Sequence, residues 1–102
     1  MKPFLVAPDA ADDLNDIWFY LSQHSGEETA DRTLHQFLRS FAALAETPGM
    51  GRRRDDLTSR DLHFFLVDPY FVIYHRDRSP LEIYAVLHTA RDLQRLLRSR
   101  PR

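Results

Sequence analysis

His88 closes an apolar run, LEIYAVLH, and Arg91 follows it within a segment of helical spacing, TARDLQRLL. An imidazole and a guanidinium therefore meet at a strand-to-helix junction. The reaction such a pair could serve is cleavage of an RNA strand by its own 2′-hydroxyl. That step needs a base, an acid for the leaving oxygen and positive charge on the pentavalent phosphorus. Arg52, Arg54, Arg60, Arg76 and Arg91 can supply the charge. An arginine with a pKa above ~12 is a poor proton carrier, so His88 is the sole attractive acid or base. One histidine with no second proton carrier is an incomplete set. Closing its strand by a hydrogen bond to the adjoining loop is its plainer role.

Other chemistries lack their residues. The five histidines, at 24, 35, 63, 75 and 88, show no HxxxH or HxH spacing, and there is no cysteine to complete a zinc site, form a disulfide or act as a thiol nucleophile. The glycine pair Gly49 and Gly51 lies in a basic loop without a Walker lysine, and neither Ser40 nor Ser59 has a GxSxG context. No metal and no cofactor are expected. Absence of cysteine suits a reducing compartment. No apolar run approaches the roughly 20 residues of a membrane span, and MKPFLVAPDAADD turns acidic where a signal peptide would stay apolar. The expectation is a cytoplasmic protein without membrane contact.

The net charge of −1 conceals an asymmetry. Residues 1–47 carry three Lys or Arg against eight Asp or Glu, whereas residues 48–102 carry eleven against seven. Lys2 is the only lysine, and an arginine-rich surface suits planar, bidentate contacts to carboxylates or phosphates. The partner implied is nucleic acid or an acidic protein, with a solvated charged face as the plain alternative.

The elements that position these residues follow from periodicity. With 102 residues the chain fits one domain spanning 1–102. Lys2 to Val6 is a short apolar segment, and Pro8 followed by Asp9, Asp12 and Asp13 opens a helix. Ala10, Leu14, Ile17, Trp18 and Leu21 form its apolar stripe, which leaves Asp13, Asn15, Asp16 and Tyr20 outward, and Gly26 ends it. One of Trp18 and Tyr20 must face away from the core, where it could join a dimer or partner contact; the plainer alternative puts both partly under the sheet. A second stripe, Ala30, Leu34, Phe37, Leu38, Phe41, Leu44 and Ala45, runs to about Thr47 before Pro48 and Gly49, giving an antiparallel helix hairpin.

A polar, Arg-rich connection from Pro48 to Asp61 leads to three strands, Leu62–Val67, Tyr70–Arg76 and Leu81–His88, with turns at Asp68–Pro69 and Asp77–Pro80. A lone meander is not stable in water, so one face must pack on the hairpin. Arg91 to about Arg100 adds a short helix with Leu93, Leu96 and Leu97 inward. Simple alternation puts Ile83, Ala85 and Leu87 in the core and Tyr74, Arg76, Tyr84 and His88 together on the other face. That second face would be aromatic and basic, able to stack bases and hold phosphates, or else simply carry half-exposed sheet tyrosines.

Three segments in this order and spacing, DAADDLNDIWFYL, LAETPGMGRRRDDL and YFVIYHRDRSPLEIYAVLHTARDL, resemble the ParE branch of the RelE/ParE superfamily of bacterial type II toxin–antitoxin toxins. The likeness spans nearly the whole chain. It implies an α+β fold of order β-α-α-β-β-β with a short C-terminal helix, the antiparallel sheet packed on a helix hairpin. It implies a cognate antitoxin, ParD-like or a similar small DNA-binding protein, whose flexible segment folds as helix or strand along an apolar and basic groove. Assembly would be as a homodimer or a toxin–antitoxin hetero-oligomer.

RelE-like members of the superfamily cleave mRNA in the ribosome, and ParE-like members poison DNA gyrase. The nucleases carry lysines or a glutamate around the helix-to-sheet connection and a Tyr or His-Tyr near the C-terminus. Here Lys2 is the sole lysine and Thr89 follows His88. The resemblance therefore implies a toxin that acts on gyrase by binding, with no catalytic residues of its own. Arg52, Arg53, Arg60, His88, Arg91, Arg95 and Arg98 are the candidates for target or antitoxin contact. The enzyme alternative is a ribosome-dependent mRNA endonuclease in which His88 moves a proton and Arg52, Arg60 and Arg91 hold the phosphate. A degenerate toxin kept only as an antitoxin-binding partner is the third reading.

Overall fold

The computed structural model describes residues 2–101. Strand β1 (Phe4–Val6) leads into α1 (Pro8–Ser25), where Pro8 occupies the first helical turn, a position that needs no backbone donor. Gly26, at φ 90° and ψ 157°, breaks the chain direction and directly precedes α2 (Glu27–Glu46). The indole Nε1 of Trp18 donates to Asp31 Oδ1 at 2.8 Å and ties the two helices together across this turn. Pro48 stops α2, and a 3-10 turn (Pro48–Met50) follows.

The sheet has five strands in the order β1-β5-β4-β3-β2, with β2 Arg52–Arg53, β3 His63–Val67, β4 Tyr70–His75 and β5 Leu81–His88. Strand β1 runs parallel to β5, Phe4 opposite Leu81 and Val6 opposite Ile83, while the other neighbours are antiparallel. Parallel pairing requires a long crossover, and the helix hairpin lies within it. The two-residue strand β2, drawn from the Arg-rich connection, is an addition to the expected element order. Helix α3 spans Leu93–Ser99, with the Asp92 carboxylate accepting from the Arg95 amide at its start.

The hairpin covers one face of the sheet. Ala10, Phe37, Phe41 and Leu44 pack there on Val72, Tyr74, Leu81, Ile83 and Val86. A second core lies on the opposite face, where Leu93 and Leu97 of α3 close over Leu62, Phe64, Ile73, Tyr84, Ala85 and Leu87.

Four sequence expectations fail here, two of them through one bulge. Ile73 pairs with Ala85 and Tyr74 with Ile83, which leaves Tyr84 as an extra residue, a bulge. The bulge moves Ile83 onto the hairpin face and Ala85 and Leu87 onto the α3 face, so the three do not share a side. Tyr74 and Tyr84 likewise lie on opposite faces and are 0% and 5% exposed, so the expected basic, aromatic face with both rings does not exist. Asp13, expected outward, is buried, whereas Leu38, placed in the α2 stripe, is exposed. Of the helix α1 aromatics, Trp18 is half-buried and Tyr20 faces solvent beside an equally exposed Phe19.

Candidate functional site

The α3 face of the sheet is covered only in part, and arginines rim the remainder. Arg52 and Arg54 border a groove of about 420 Å³ with Met50, Phe64, Leu66 and Phe71. Leu66 stands directly opposite Phe71 in the β3–β4 pairing and is 53% exposed. A second groove of about 280 Å³ shares Arg54 and Phe71 and continues to Leu57, Thr89, Arg91 and Gln94. A third, of about 490 Å³, runs from Leu57 and Gln94 to Arg60 and Arg98. Shared lining residues join the three grooves into one trough with apolar floor segments and a margin of arginines, interrupted by the carboxylates of Asp55, Asp56 and Asp92.

Local geometry decides which arginines are available. Arg54 grips Asp56 with two 2.9 Å bonds and stands 5.7 Å from the Phe71 ring centroid. Its hydrogen bond to Asp56 pushes its pKa up and pulls that of Asp56 down. Arg53 bonds Asp55 at 3.2 Å and Asp61 at 3.1 Å. Arg95 approaches Asp92 at 3.7 Å. Among the described residues, Arg52, Arg91 and Arg98 have no side-chain ion pair, and all three are exposed, so their guanidinium groups are open to a partner.

Arg60 sits differently. Its Nη1 donates to the Tyr84 hydroxyl, its Nη2 donates to the Arg100 carbonyl at 2.8 Å, and its guanidinium lies 5.9 Å from the Tyr84 ring centroid. Its donors face inward to the chain itself.

His88, at the end of β5, lines none of the three grooves. Its Nδ1 accepts from the Ala90 amide at 3.0 Å, which is the strand-closing hydrogen bond anticipated as its plainer role. That bond leaves Nε2 as the nitrogen free to donate in the neutral ring. The Thr89 amide donates to the Pro69 carbonyl at 2.9 Å, which brings His88 edge to face with Tyr70 at 5.4 Å. Burial raises the Tyr70 pKa, with a smaller contribution from Tyr20. The structure thus brings Arg52, Arg91 and Arg98 to one trough and leaves His88 out of its lining.

Sequence reasoning missed Asp13, Phe71, Gln94 and Arg100. For Asp13 a signal exists, because Ala10, Asp13 and Ile17 follow helical spacing and a carboxylate within an apolar stripe must find a buried partner. Arg100 has no comparable mark, since its partner lies far away in sequence.

Among the described residues no three metal-ligating side chains converge, and no helix is long and apolar enough to cross a membrane. Residues 4–93 match the family model described as ParE toxin of type II toxin-antitoxin system, parDE. Toxin ParE1 of Caulobacter vibrioides is 33% identical over 88 residues, covering 86% of this chain and 90% of that protein. A chain of the chromosomal ParDE TA system from P. aeruginosa shares the fold at a TM-score of 0.73, with 16% identity, over 86% of this chain and 96% of that one. The protein belongs to the ParE family of type II toxin–antitoxin toxins.

Proposed function

We propose that this protein is a cytoplasmic toxin that inhibits DNA gyrase by binding and is neutralised by a cognate ParD-like antitoxin in a hetero-oligomeric complex. The observation that carries this reading is the trough, whose open arginines Arg52, Arg91 and Arg98 border exposed apolar side chains with no histidine or tyrosine among the lining residues. Such a surface suits an amphipathic, acidic segment that folds on binding. Arg53 and Arg95 stand outside the three grooves in exposed ion pairs worth little individually, which a partner can displace. The test is induction of the chain alone in a bacterium, with thymidine and amino-acid incorporation followed side by side. Early failure of DNA synthesis is expected; early collapse of protein synthesis would overturn the gyrase reading.

One observation favours a second reading, mRNA cleavage on the ribosome. Tyr70 stands beside His88 and supplies the second proton-carrying side chain that the sequence did not reveal. Under that reading Tyr70→Phe and His88→Gln each abolish cleavage of ribosome-bound mRNA while antitoxin binding survives. Intact cutting by either variant would end it.

A further inference from the structure

We propose that Asp13, Arg60 and Tyr84 form a positioning set that latches the segment carrying Arg91, Arg95 and Arg98 onto the body of the protein. The proposal rests on the reading that this segment contacts the target.

Helix α3 has seven residues, well below the length at which a helix is stable by itself. Leu93 and Leu97 anchor its inner face, but Leu97 is the last apolar anchor. Beyond Ser99 the chain turns extended, with Arg100 at φ −90° and ψ 146°. What holds it there is polar. The Arg100 guanidinium grips the Asp13 carboxylate with Nη1 to Oδ2 at 2.8 Å and Nη2 to Oδ1 at 2.5 Å, and their side chains are 15% and 10% exposed. The carbonyl of Arg100 accepts from Arg60 Nη2, and the carbonyl of Pro101 accepts from the Tyr84 hydroxyl at 2.6 Å. That hydroxyl in turn accepts from Arg60 Nη1.

Asp13 also connects the latch to the sheet. Strand β1 pairs with β5 only as far as Ile83, and past that point the Val86 amide donates to Asp13 Oδ2 at 2.9 Å. One carboxylate therefore satisfies an edge amide next to the Tyr84 bulge and fixes the end of the α3 segment. Three donors from two partners, two of them on Oδ2, restrict its position. A bidentate, buried pair is geometrically exacting, and removal of one member leaves the other charge uncompensated. With the latch closed, the α3 arginines are presented in one arrangement; with it open, a partner must order them on binding.

Hydrogen exchange measured by mass spectrometry on the purified full chain tests the latch directly. Arg100→Ala and Arg60→Gln are expected to speed exchange of the amides at 95–99 by about tenfold or more, while the sheet keeps its protection. Arg100→Lys, which retains the charge, restores part of the protection. Unchanged exchange at 95–99 in both Arg100→Ala and Arg60→Gln overturns the latch. Growth arrest on induction, measured for the same variants, separates the two layers. Loss of arrest alongside the faster exchange supports the positioning role. Faster exchange with full arrest leaves the latch standing and removes the α3 segment from the target contact.

Discussion

Gly51 and Tyr74 are locked together: the Gly51 amide donates to the Tyr74 hydroxyl at 2.9 Å, and that hydroxyl donates to the Pro48 carbonyl at 2.6 Å. The contact permits no side chain, because a Cβ on Gly51 would stand 2.5 Å from Tyr74 Oη and 3.0 Å from the Phe64 carbonyl oxygen. A buried phenol thus fastens the turn after α2 to the middle of the sheet, next to the strand that carries Arg52 and Arg53. Burial raises the Tyr74 pKa, so the hydroxyl keeps its proton.

Gly51→Ala is expected to destabilise the fold by about 1–3 kcal/mol through overpacking against a ring that cannot retreat. Tyr74→Phe keeps the ring but strands the Gly51 amide and the Pro48 carbonyl, at a cost of roughly 1–3 kcal/mol. Urea unfolding of both variants provides the check, and wild-type midpoints would show that the turn is not held by this contact.

Gly26→Ala separates backbone strain from crowding. Nothing lies within 4 Å of a Cβ at this position, yet its φ is +90°. This region is almost closed to residues with a side chain, so the expected loss is about 1–3 kcal/mol with no change in packing. Fluorescence of Trp18, the only tryptophan, reports whether the hairpin survives. A midpoint equal to wild type would mean that the turn relaxes freely.

These contacts also mark where sequence reading stops. The hairpin was legible because Pro8, Gly26 and Pro48 punctuate two apolar stripes, and the meander because apolar runs alternate with Asp-Pro and Ser-Pro turns. Strand β2 was not, because paired arginines carry no strand signal and its two residues form a strand only through Phe64 and His63 opposite them. The Tyr84 bulge was hidden too. No glycine marks it, and one extra residue exchanges the faces of everything that follows. The candidate site suffered most from this, since Arg60 looked like Arg52 in sequence and differs from it only through Tyr84 and the Arg100 carbonyl.

His75 gives the fold a pH dependence. Burial foremost, then the Arg78 charge, hold its pKa below the ordinary 6.5, against the opposing pull of Glu82, Asp77 and Asp61. Its Nε2 has no hydrogen-bond partner. The unfolded chain takes up a proton as pH falls through 6.5, whereas the folded state resists it. Stability from this site is therefore complete above that pH and is lost as pH falls toward the lowered folded value. His75→Phe retains the edge contact with Tyr84 and deletes the titration. Urea midpoints at about pH 7.5 and about pH 5.5 should fall less in the variant than in wild type. Parallel declines would assign the acid sensitivity to other groups.

The trough makes the most demanding prediction, because its arginines should matter for binding and not for folding. Arg52 and Arg91 are exposed and, among the described residues, form no side-chain ion pair, so Arg52→Glu and Arg91→Glu should each leave the unfolding free energy within about 0.5 kcal/mol of wild type. An acidic partner segment would meet a reversed charge in each case. Affinity for the antitoxin or for purified gyrase should drop about tenfold or more, mostly through slower association, and the deficit should narrow as salt rises. Leu66→Ser, on the apolar floor, should weaken binding without that salt dependence, through lost apolar contact. Titration of the three variants against each partner assigns the trough. A partner indifferent to all three binds elsewhere on the protein, and a partner sensitive only to the arginines contacts the margin and leaves the floor open.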